Sequence, residues 1–163
     1  SKLVFFFSFH KCNFDASFDL HTTKSLAGWI IRDHLGGAYS WGTISLGSAI
    51  SPIEAEAKAL LVAIQQAWSS GLDYVVFEGD CKVLIDTIQG KQEDFTIDNL
   101  CWDIRSWSQR FRDCSFSFVR RQNNAAAHVL ASKIPENGLF YSSRLYPPRW
   151  LTEYLDSDYV NSF

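Results

Sequence analysis

Residues His10 to Phe18 read HKCNFDASF, and their pattern is the strongest indication of the fold. Apolar and polar residues alternate along this stretch, which is typical of a β-strand with one buried face and one polar face. Cys12 and Phe14 lie on the apolar side, whereas Asp15 lies on the polar side. Aspartate has a poor β-propensity, so its presence inside a strand needs an explanation. Exposure to solvent is one explanation, and a functional role is the other.

Two more strands are predicted directly after this one. The runs Ala27–Arg32 and Ala38–Ser45 flank the segment Asp33–Gly37. The pair Gly36-Gly37 within that segment is a strong signal for a β-hairpin. The three strands together predict an antiparallel meander.

A helix is predicted next, and its beginning is well marked. Ser51-Pro52-Ile53-Glu54 has the pattern of a capping box with proline at the first helical position. The residues that follow form one apolar stripe at helical spacing: Ile53, Ala57, Leu60, Leu61, Ile64 and Trp68. Gly71 ends the segment.

The rest of the chain alternates between strands and helices. Strands are predicted at Tyr74–Phe77 and Ser115–Arg120, and helices at Asp80–Gln89, Ile97–Phe111 and Asn124–Lys133. A meander followed by such crossovers predicts an α/β fold. Its mixed five-stranded sheet combines the antiparallel meander with two parallel strands and carries helices on both faces.

The C-terminal residues differ from the rest in composition. Asn137-Gly138 breaks the last predicted helix, and the stretch 146–151, YPPRWL, has turn residues and aromatic anchors without a clear period. We therefore predict one domain over residues 1–138. Residues 139–163 are predicted to be a tail that packs on the domain or extends from it.

Composition favours one folded domain with free thiols. The chain has 163 residues, of which 47% are hydrophobic, and its four cysteines form no CxxC pair, so neither a zinc site nor a disulfide framework is indicated.

The apolar run Leu3–Phe7 is shorter than a membrane span of about 20 residues or a signal-peptide core of about 7–15. We expect an intracellular monomer with no membrane partner. The sequence does not distinguish the nucleus from the cytoplasm as its location.

The overall charge does not favour binding of nucleic acid through bulk positive charge. The net charge is −3 and the pI is near 5.7. Several arginines are nevertheless clustered: Arg105, Arg110, Arg112, Arg120 and Arg121. Such a cluster indicates either a solvated helix face or a binding surface.

Three acidic residues could act together. Asp15 lies in a strand, Asp80 directly follows one, and Glu54 and Glu56 lie on opposite flanks of the helical apolar stripe. The capping box gives Glu54 a structural role, which leaves Glu56 available, whereas Asp80 could also be a simple helix N-cap. Carboxylates that converge at one edge of a sheet repel one another unless cations hold them, and two Mg²⁺ ions about 4 Å apart would do so.

Four blocks of sequence, taken in order, resemble one known family. They are CNFDASF at residues 12–18, the acidic helix around AEA at 55–57, FEGDC at 77–81 and VRRQNNAAAHVLA at 119–131. These blocks resemble ribonuclease H domains. They are most similar to the reverse-transcriptase-like subgroup that is abundant in plant genomes and derived from retroelements.

The resemblance implies a metal-dependent endoribonuclease that cleaves the RNA strand of RNA–DNA hybrids by two-metal-ion hydrolysis. It implies two ions, Mg²⁺ or Mn²⁺, with Asp15 bridging both and with Glu56 and Asp80 holding one each. His128 stands at the fourth acidic position of the family pattern and would complete the catalytic and metal-binding set. The residues implied to contact nucleic acid are Asn13, Ser17, Arg121 and Asn124.

Departures from the family pattern keep an alternative open. A neutral imidazole at His128 is a poorer Mg²⁺ ligand than aspartate and suits Mn²⁺ better. Ala16 replaces the usual glycine, and the short connection Gly90–Asp98 lacks the basic protrusion of some ribonucleases H. The alternative is a catalytically degenerate module, derived from a retroelement, that binds nucleic acid or protein. A 3′–5′ exonuclease of the same superfamily would need acidic blocks at other spacings.

Overall fold

The computed structural model describes residues 9–133, 140–143 and 147–161. The apolar run Leu3–Phe7 and the helix break at Asn137-Gly138 lie outside these residues, as do parts of the tail. Within the described part of the chain, every helix is too short or too polar to cross a membrane.

The sheet contains the five predicted strands in a mixed arrangement. They are β1 (His10–Phe18), β2 (Lys24–Arg32), β3 (Ala38–Ser48), β4 (Tyr74–Gly79) and β5 (Asp113–Phe118). Strands β1, β2 and β3 form the antiparallel meander, whereas β4 pairs in parallel with both β1 and β5. The predicted fold class is therefore confirmed.

A sixth strand, which the sequence did not indicate, extends this sheet. Strand β6 (Phe140–Ser143) pairs antiparallel with residues 41–44 of β3, so the strand order is β5-β4-β1-β2-β3-β6. The open edge of β3 offers unpaired backbone groups that a short segment can satisfy. Pairing of this kind depends on backbone hydrogen bonds, which explains why four residues without an alternating pattern escaped prediction.

In the described part of the chain, five α-helices surround the sheet. They are α1 (Pro52–Ser69), α2 (Lys82–Ile88), α3 (Asp98–Ser108), α4 (Ala125–Ala131) and α5 (Arg149–Asn161). Helix α5 lies in the tail, where no period was recognised. Its Leu151, Leu155 and Asp158 are the buried positions, a narrow stripe that the many polar residues around it obscure.

The two faces of the sheet carry separate apolar clusters. In β2, Trp29 and Ile31 pack with Leu60 of α1, whereas Ile30 packs on the other side with Leu151 of α5. This division follows from the alternation of side chains along a strand. Helices therefore cover both faces, as predicted.

The end of the apolar stripe on α1 differs from the prediction. Trp68 is 44% exposed, and its ring makes an edge-to-face contact with Trp107 of α3. The guanidinium of Arg110 lies over both rings, 5.3 Å from the centroid of Trp68 and 3.9 Å from that of Trp107. A large ring at the edge of a helix interface is thus covered by a partner rather than by the core.

Strand β2 and helix α4 approach each other so closely that only glycine fits between them. A Cβ atom on Gly28 would lie 2.3 Å from the backbone nitrogen of Ala131 and 2.5 Å from the carbonyl oxygen of Ala127. Gly28 also pairs with Asp15 across the β1–β2 ladder. The glycine therefore sets the distance between α4 and the centre of the sheet.

We expect Gly28→Ala to lower the free energy of unfolding by about 1–3 kcal/mol, because two backbone atoms must move apart. Urea denaturation of the purified protein measures this change. Gly37→Ala is a suitable control, since the nearest atoms that a Cβ atom there would meet belong to the carboxylate of Asp33, at 3.1 Å in the turn between β2 and β3, rather than to backbone. A Gly28→Ala protein as stable as the wild type would contradict the close approach.

Candidate active site

Three carboxylates from three separate elements meet at one edge of the sheet. Asp15 lies on β1, Glu56 on the second turn of α1, and Asp80 directly after β4. One carboxylate oxygen of each lies within 4.8 Å of those of the other two. The predicted convergence of these residues is confirmed. It arises because β1 and β4 are parallel neighbours, and α1 packs against β1.

The three side chains are largely withdrawn from solvent. Asp15 is 0% exposed, and the Asp80 side chain is 7% exposed. Asp15 Oδ1 and Glu56 Oε2 are both buried without a hydrogen-bond partner among the described residues. Buried acceptors of this kind carry a full desolvation cost, so these two carboxylates need either a shared proton or a cation as their partner.

Burial and mutual repulsion raise the pKa values of two of these carboxyl groups. Burial raises the pKa of Asp15, the charge of Asp80 adds to that effect, and a hydrogen bond from His128 opposes it. Burial also raises the pKa of Glu56 well above its ordinary value, followed by the charge of Asp15. Without a cation, these groups therefore favour a shared proton over full ionisation.

The donor set fits a hard divalent cation. Mg²⁺ and Mn²⁺ prefer carboxylate oxygens, and the two residues with unpartnered oxygens, Asp15 and Glu56, both belong to the convergent group. A bound cation would supply the positive charge that the site lacks.

His128 contacts the carboxylate group through Asp15. Its Nδ1 lies 2.8 Å from Asp15 Oδ2, and its side chain is 46% exposed. Among the described residues, the ligand atoms close enough together to share a metal ion come from the three acids and do not include a nitrogen of His128. The contact with Asp15 occupies Nδ1, which leaves Nε2 as the other ring nitrogen. The role of His128 as a fourth metal ligand stays a prediction.

Two residues that the resemblance assigned to nucleic-acid contact lie inside the domain. Asn13 is 2% exposed and Asn124 is 0% exposed. Asn13 donates to Asn124 Oδ1 at 3.1 Å, and Asn124 donates to the carbonyl oxygen of Phe14 at 2.9 Å. Their side chains are buried and bonded to each other, so we no longer assign them to direct contact with nucleic acid. Instead, their hydrogen bonds join β1 to the loop before α4.

Sequence reasoning missed Glu78 as a member of this polar network. Its carboxylate accepts a hydrogen bond from Asn13 at 3.3 Å and forms an ion pair with Lys11 at 3.4 Å. The available signal was its position two residues before Asp80, since alternate strand residues share a face.

The other two residues assigned to nucleic-acid contact lie where a ligand could reach them. The Arg121 side chain is 65% exposed, and its Nε lies 3.3 Å from Asp80 Oδ2. Ser17 lies two residues beyond Asp15 and lines a groove of about 620 Å³ together with Lys24 and Ser48. Strand β1 contributes Ser17 to this groove and Asp15 to the carboxylate group, whereas the rest of the groove lining comes mainly from β2, β3 and the turn between β1 and β2.

Glu54 has a structural role, as predicted, whereas Glu56 belongs to the carboxylate group. The backbone N–H of Glu54 donates to Ser51 Oγ at 3.2 Å, and Glu54 Oε2 accepts from the backbone of Ile50 rather than from that of Ser51. Lys58 forms an ion pair with Glu54 at 2.8 Å, and this contact is the main reason why the pKa of Glu54 is lowered. Glu54 therefore stabilises the beginning of α1.

We expect Glu54→Ala to lower the free energy of unfolding by about 0.5–2 kcal/mol, as the loss of a helix cap does. The reason is that the variant loses both the contact with Ile50 and the ion pair with Lys58. Thermal denaturation of the wild type and the variant measures this change. A Glu54→Ala protein as stable as the wild type would contradict the structural role of Glu54.

The fold and the site define the class of this domain. The first five strands have the order β3-β2-β1-β4-β5 and include two parallel pairs, with helices around the sheet. This is the architecture of a ribonuclease H domain. The chain belongs to the reverse transcriptase-like family, whose family model matches residues 13–134. A comparison with curated proteins returns no match.

Solved structures of the same class superpose on most of the chain. Ribonuclease H1 from the halophilic archaeon Halobacterium salinarum is 25% identical, with a TM-score of 0.72, over 76% of this chain and 95% of that one. The N-terminal ribonuclease H domain of a Mycobacterium tuberculosis protein is 16% identical, with a TM-score of 0.68, over 76% and 96%. LC11 ribonuclease H1, isolated from compost by a metagenomic approach and solved in complex with an RNA/DNA hybrid, is 18% identical, with a TM-score of 0.69, over 76% and 94%.

Proposed function

We propose that this domain is a metal-dependent endoribonuclease that cleaves the RNA strand of RNA–DNA hybrids. The observation that carries the proposal is the convergence of Asp15, Glu56 and Asp80 within 4.8 Å, with buried oxygens that have no protein partner. Support comes from the class of the fold and from a structural neighbour that was solved with an RNA/DNA hybrid.

The three acids would hold two divalent ions, with Asp15 as the shared ligand. When bound, such ions lower the pKa of a water molecule and stabilise the leaving oxygen of a phosphodiester. His128 holds Asp15 Oδ2 through Nδ1 and so keeps the central carboxylate oriented. Arg121 places an exposed guanidinium beside Asp80, where it can pair with a phosphate of the substrate.

Recognition of the hybrid would depend on the shape of the duplex and on the 2′-hydroxyls of its RNA strand. The groove that Ser17 lines offers hydroxyl groups and the ammonium of Lys24, together with the carboxylate of Asp19. The connection after α2 carries Glu93, Asp94 and Asp98 instead of a basic protrusion. We therefore expect hybrid affinity that is weak, with a shallower dependence on salt than that of a domain with a basic protrusion.

Incubation of the purified domain with an end-labelled RNA–DNA hybrid tests the proposal. We expect cleavage of the RNA strand in Mg²⁺ or Mn²⁺, none in a chelator, and none of double-stranded DNA of the same sequence. Binding of the hybrid without cleavage in either metal would contradict the enzyme and favour the alternative, a catalytically degenerate binding module.

Substitution of His128 tests the fourth position separately. We expect His128→Asp to raise Mg²⁺-supported cleavage relative to Mn²⁺-supported cleavage, because a carboxylate is the harder and more anionic ligand. The measurement is the ratio of the two initial rates for wild type and variant. A ratio that does not change would mean that residue 128 does not reach the metals.

A further inference from the structure

The N-terminus of α4, the helix that carries His128, is bonded to a residue from the tail. Asp158 of α5 is 2% exposed, and its two oxygens accept hydrogen bonds from the backbone of Ala125 at 2.9 Å and of Ala126 at 3.0 Å. The first amides of a helix have no partner within the helix. Asn124, which precedes α4, makes no side-chain cap because its side chain bonds Asn13 and Phe14. Asp158 thus takes the place of a local cap.

A buried arginine fixes Asp158 to the sheet. Arg32 of β2 is 5% exposed, and its guanidinium lies 3.0 Å from Asp158 Oδ2 and 3.4 Å from the carbonyl oxygen of Leu155. Burying two charges costs desolvation energy that their attraction offsets only when the geometry is good. The aspartate therefore ties three elements together, namely β2, α4 and α5.

Apolar contacts place the same elements in one cluster. Leu151 and Leu155 of α5 pack with Ala126 and Leu130 of α4, and with Ile30 of the sheet. Helix α4 has only seven residues, so the bonds at its beginning have a large influence on the orientation of the whole helix. His128 lies just two residues beyond Ala126, and its Nδ1 reaches Asp15 at 2.8 Å.

We infer that Asp158, held by Arg32, is a positioning residue that sets α4 so that His128 meets the central carboxylate of the site. The tail is then part of the active-site structure, and the reaction depends on a residue that touches neither substrate nor metal. The inference about geometry stands by itself, whereas its effect on catalysis rests on the proposed function.

Hydrogen exchange of the full chain tests the geometry without any activity assay. Asp158→Asn keeps the shape of the side chain but loses the charge and one acceptor. We expect exchange of the amides at residues 125–131 to become roughly tenfold faster, with no change in α1. Asp156→Asn, an exposed site on the same helix, should have no effect. Unchanged exchange in α4 would overturn the inference.

A second variant covers the case in which Asp158→Asn fails to fold because Arg32 is left with an unpaired buried charge. The double variant Arg32→Met/Asp158→Asn removes both charges and should remain folded. We expect it to show the same faster exchange in α4, together with a shift of the His128 ring signals in ¹⁵N NMR spectra. Ring signals at their wild-type positions in the folded double variant would overturn the inference.

Kinetics distinguish positioning through His128 from a general loss of stability. We expect Asp158→Asn to lower kcat for hybrid cleavage roughly tenfold, with KM nearly unchanged, when assayed well below the unfolding temperature. In a His128→Ala background the same substitution should have no further effect, since residues that act through one another are not additive. An equal loss in both backgrounds would overturn the inference.

A wild type without cleavage would refute the proposed function alone, and the exchange and NMR results would still decide the positioning role.

Discussion

Asp15→Asn is expected to lower cleavage of an RNA–DNA hybrid by roughly 10²–10³-fold or more while the protein stays folded. Asp15 is the fully buried member of the carboxylate group and lies between Glu56, Asp80 and His128. An amide has the same shape but carries no charge, so it cannot offset two cations. The loss should therefore appear in the chemical step rather than in folding.

The matched control for this variant is Asp33→Asn, in the turn between β2 and β3. Asp33 Oδ1 accepts hydrogen bonds from the backbone of Leu35 and Gly37, which an asparagine oxygen can also accept. Initial rates in saturating Mn²⁺ and circular dichroism spectra of both variants make the comparison. Cleavage by folded Asp15→Asn at a rate near that of Asp33→Asn would refute the metal-dependent mechanism.

Glu56→Gln is expected to abolish cleavage to a similar degree and, in metal-free buffer, to make the protein more stable. Burial and the charge of Asp15 raise the pKa of Glu56 well above its ordinary value, which means that folding disfavours its ionised form. A neutral amide removes that penalty. A gain of about 0.5–2 kcal/mol at neutral pH is expected, in line with the usual trade between activity and stability at active sites.

The sign of the pH dependence follows from the direction of the same shift. Between the ordinary pKa of 4.5 and the raised value, the folded protein binds more protons than the unfolded chain, so stability falls as pH rises through this window. Glu56→Gln should flatten that fall, and Mg²⁺ should reverse it, because a cation binds only the folded, ionised site. Urea denaturation from pH 5 to pH 8, with Mg²⁺ or a chelator, measures both effects.

Glu54→Gln serves as the control for this experiment, since the pKa of Glu54 is lowered and its contribution has the opposite sign. Its stabilisation is present above the ordinary pKa of 4.5 and is lost as pH falls through the lowered value. Glu54→Gln should therefore lower stability at neutral pH. A Glu56→Gln protein that is less stable than wild type in metal-free buffer would contradict the repulsion argued for the carboxylate group.

Features that depend on neighbours in the chain could be predicted from the amino-acid sequence. Alternation along β1 placed Asp15 on a polar face, and the residues Ser51 to Glu54 marked the beginning of α1 and freed Glu56 for the site. The order of strands and helices then predicted the mixed sheet, because short right-handed crossovers allow few topologies. Parallel pairing of β1 with β4 was enough to bring Asp15 and Asp80 to one edge.

Which polar residues are buried, and which partners they bond there, depends on the packing of the whole chain and could not be predicted from local patterns. Asn13 and Asn124 are polar residues of the kind found at binding surfaces, yet both are buried. Burial is possible because Asn13 donates a hydrogen bond to Asn124, and Asn124 donates one to the backbone carbonyl of Phe14. Asp158 joins Arg32 and the beginning of α4 from a segment without a clear period. Contacts between residues more than thirty positions apart leave no local pattern in a sequence, because packing and charge pairing in three dimensions select them.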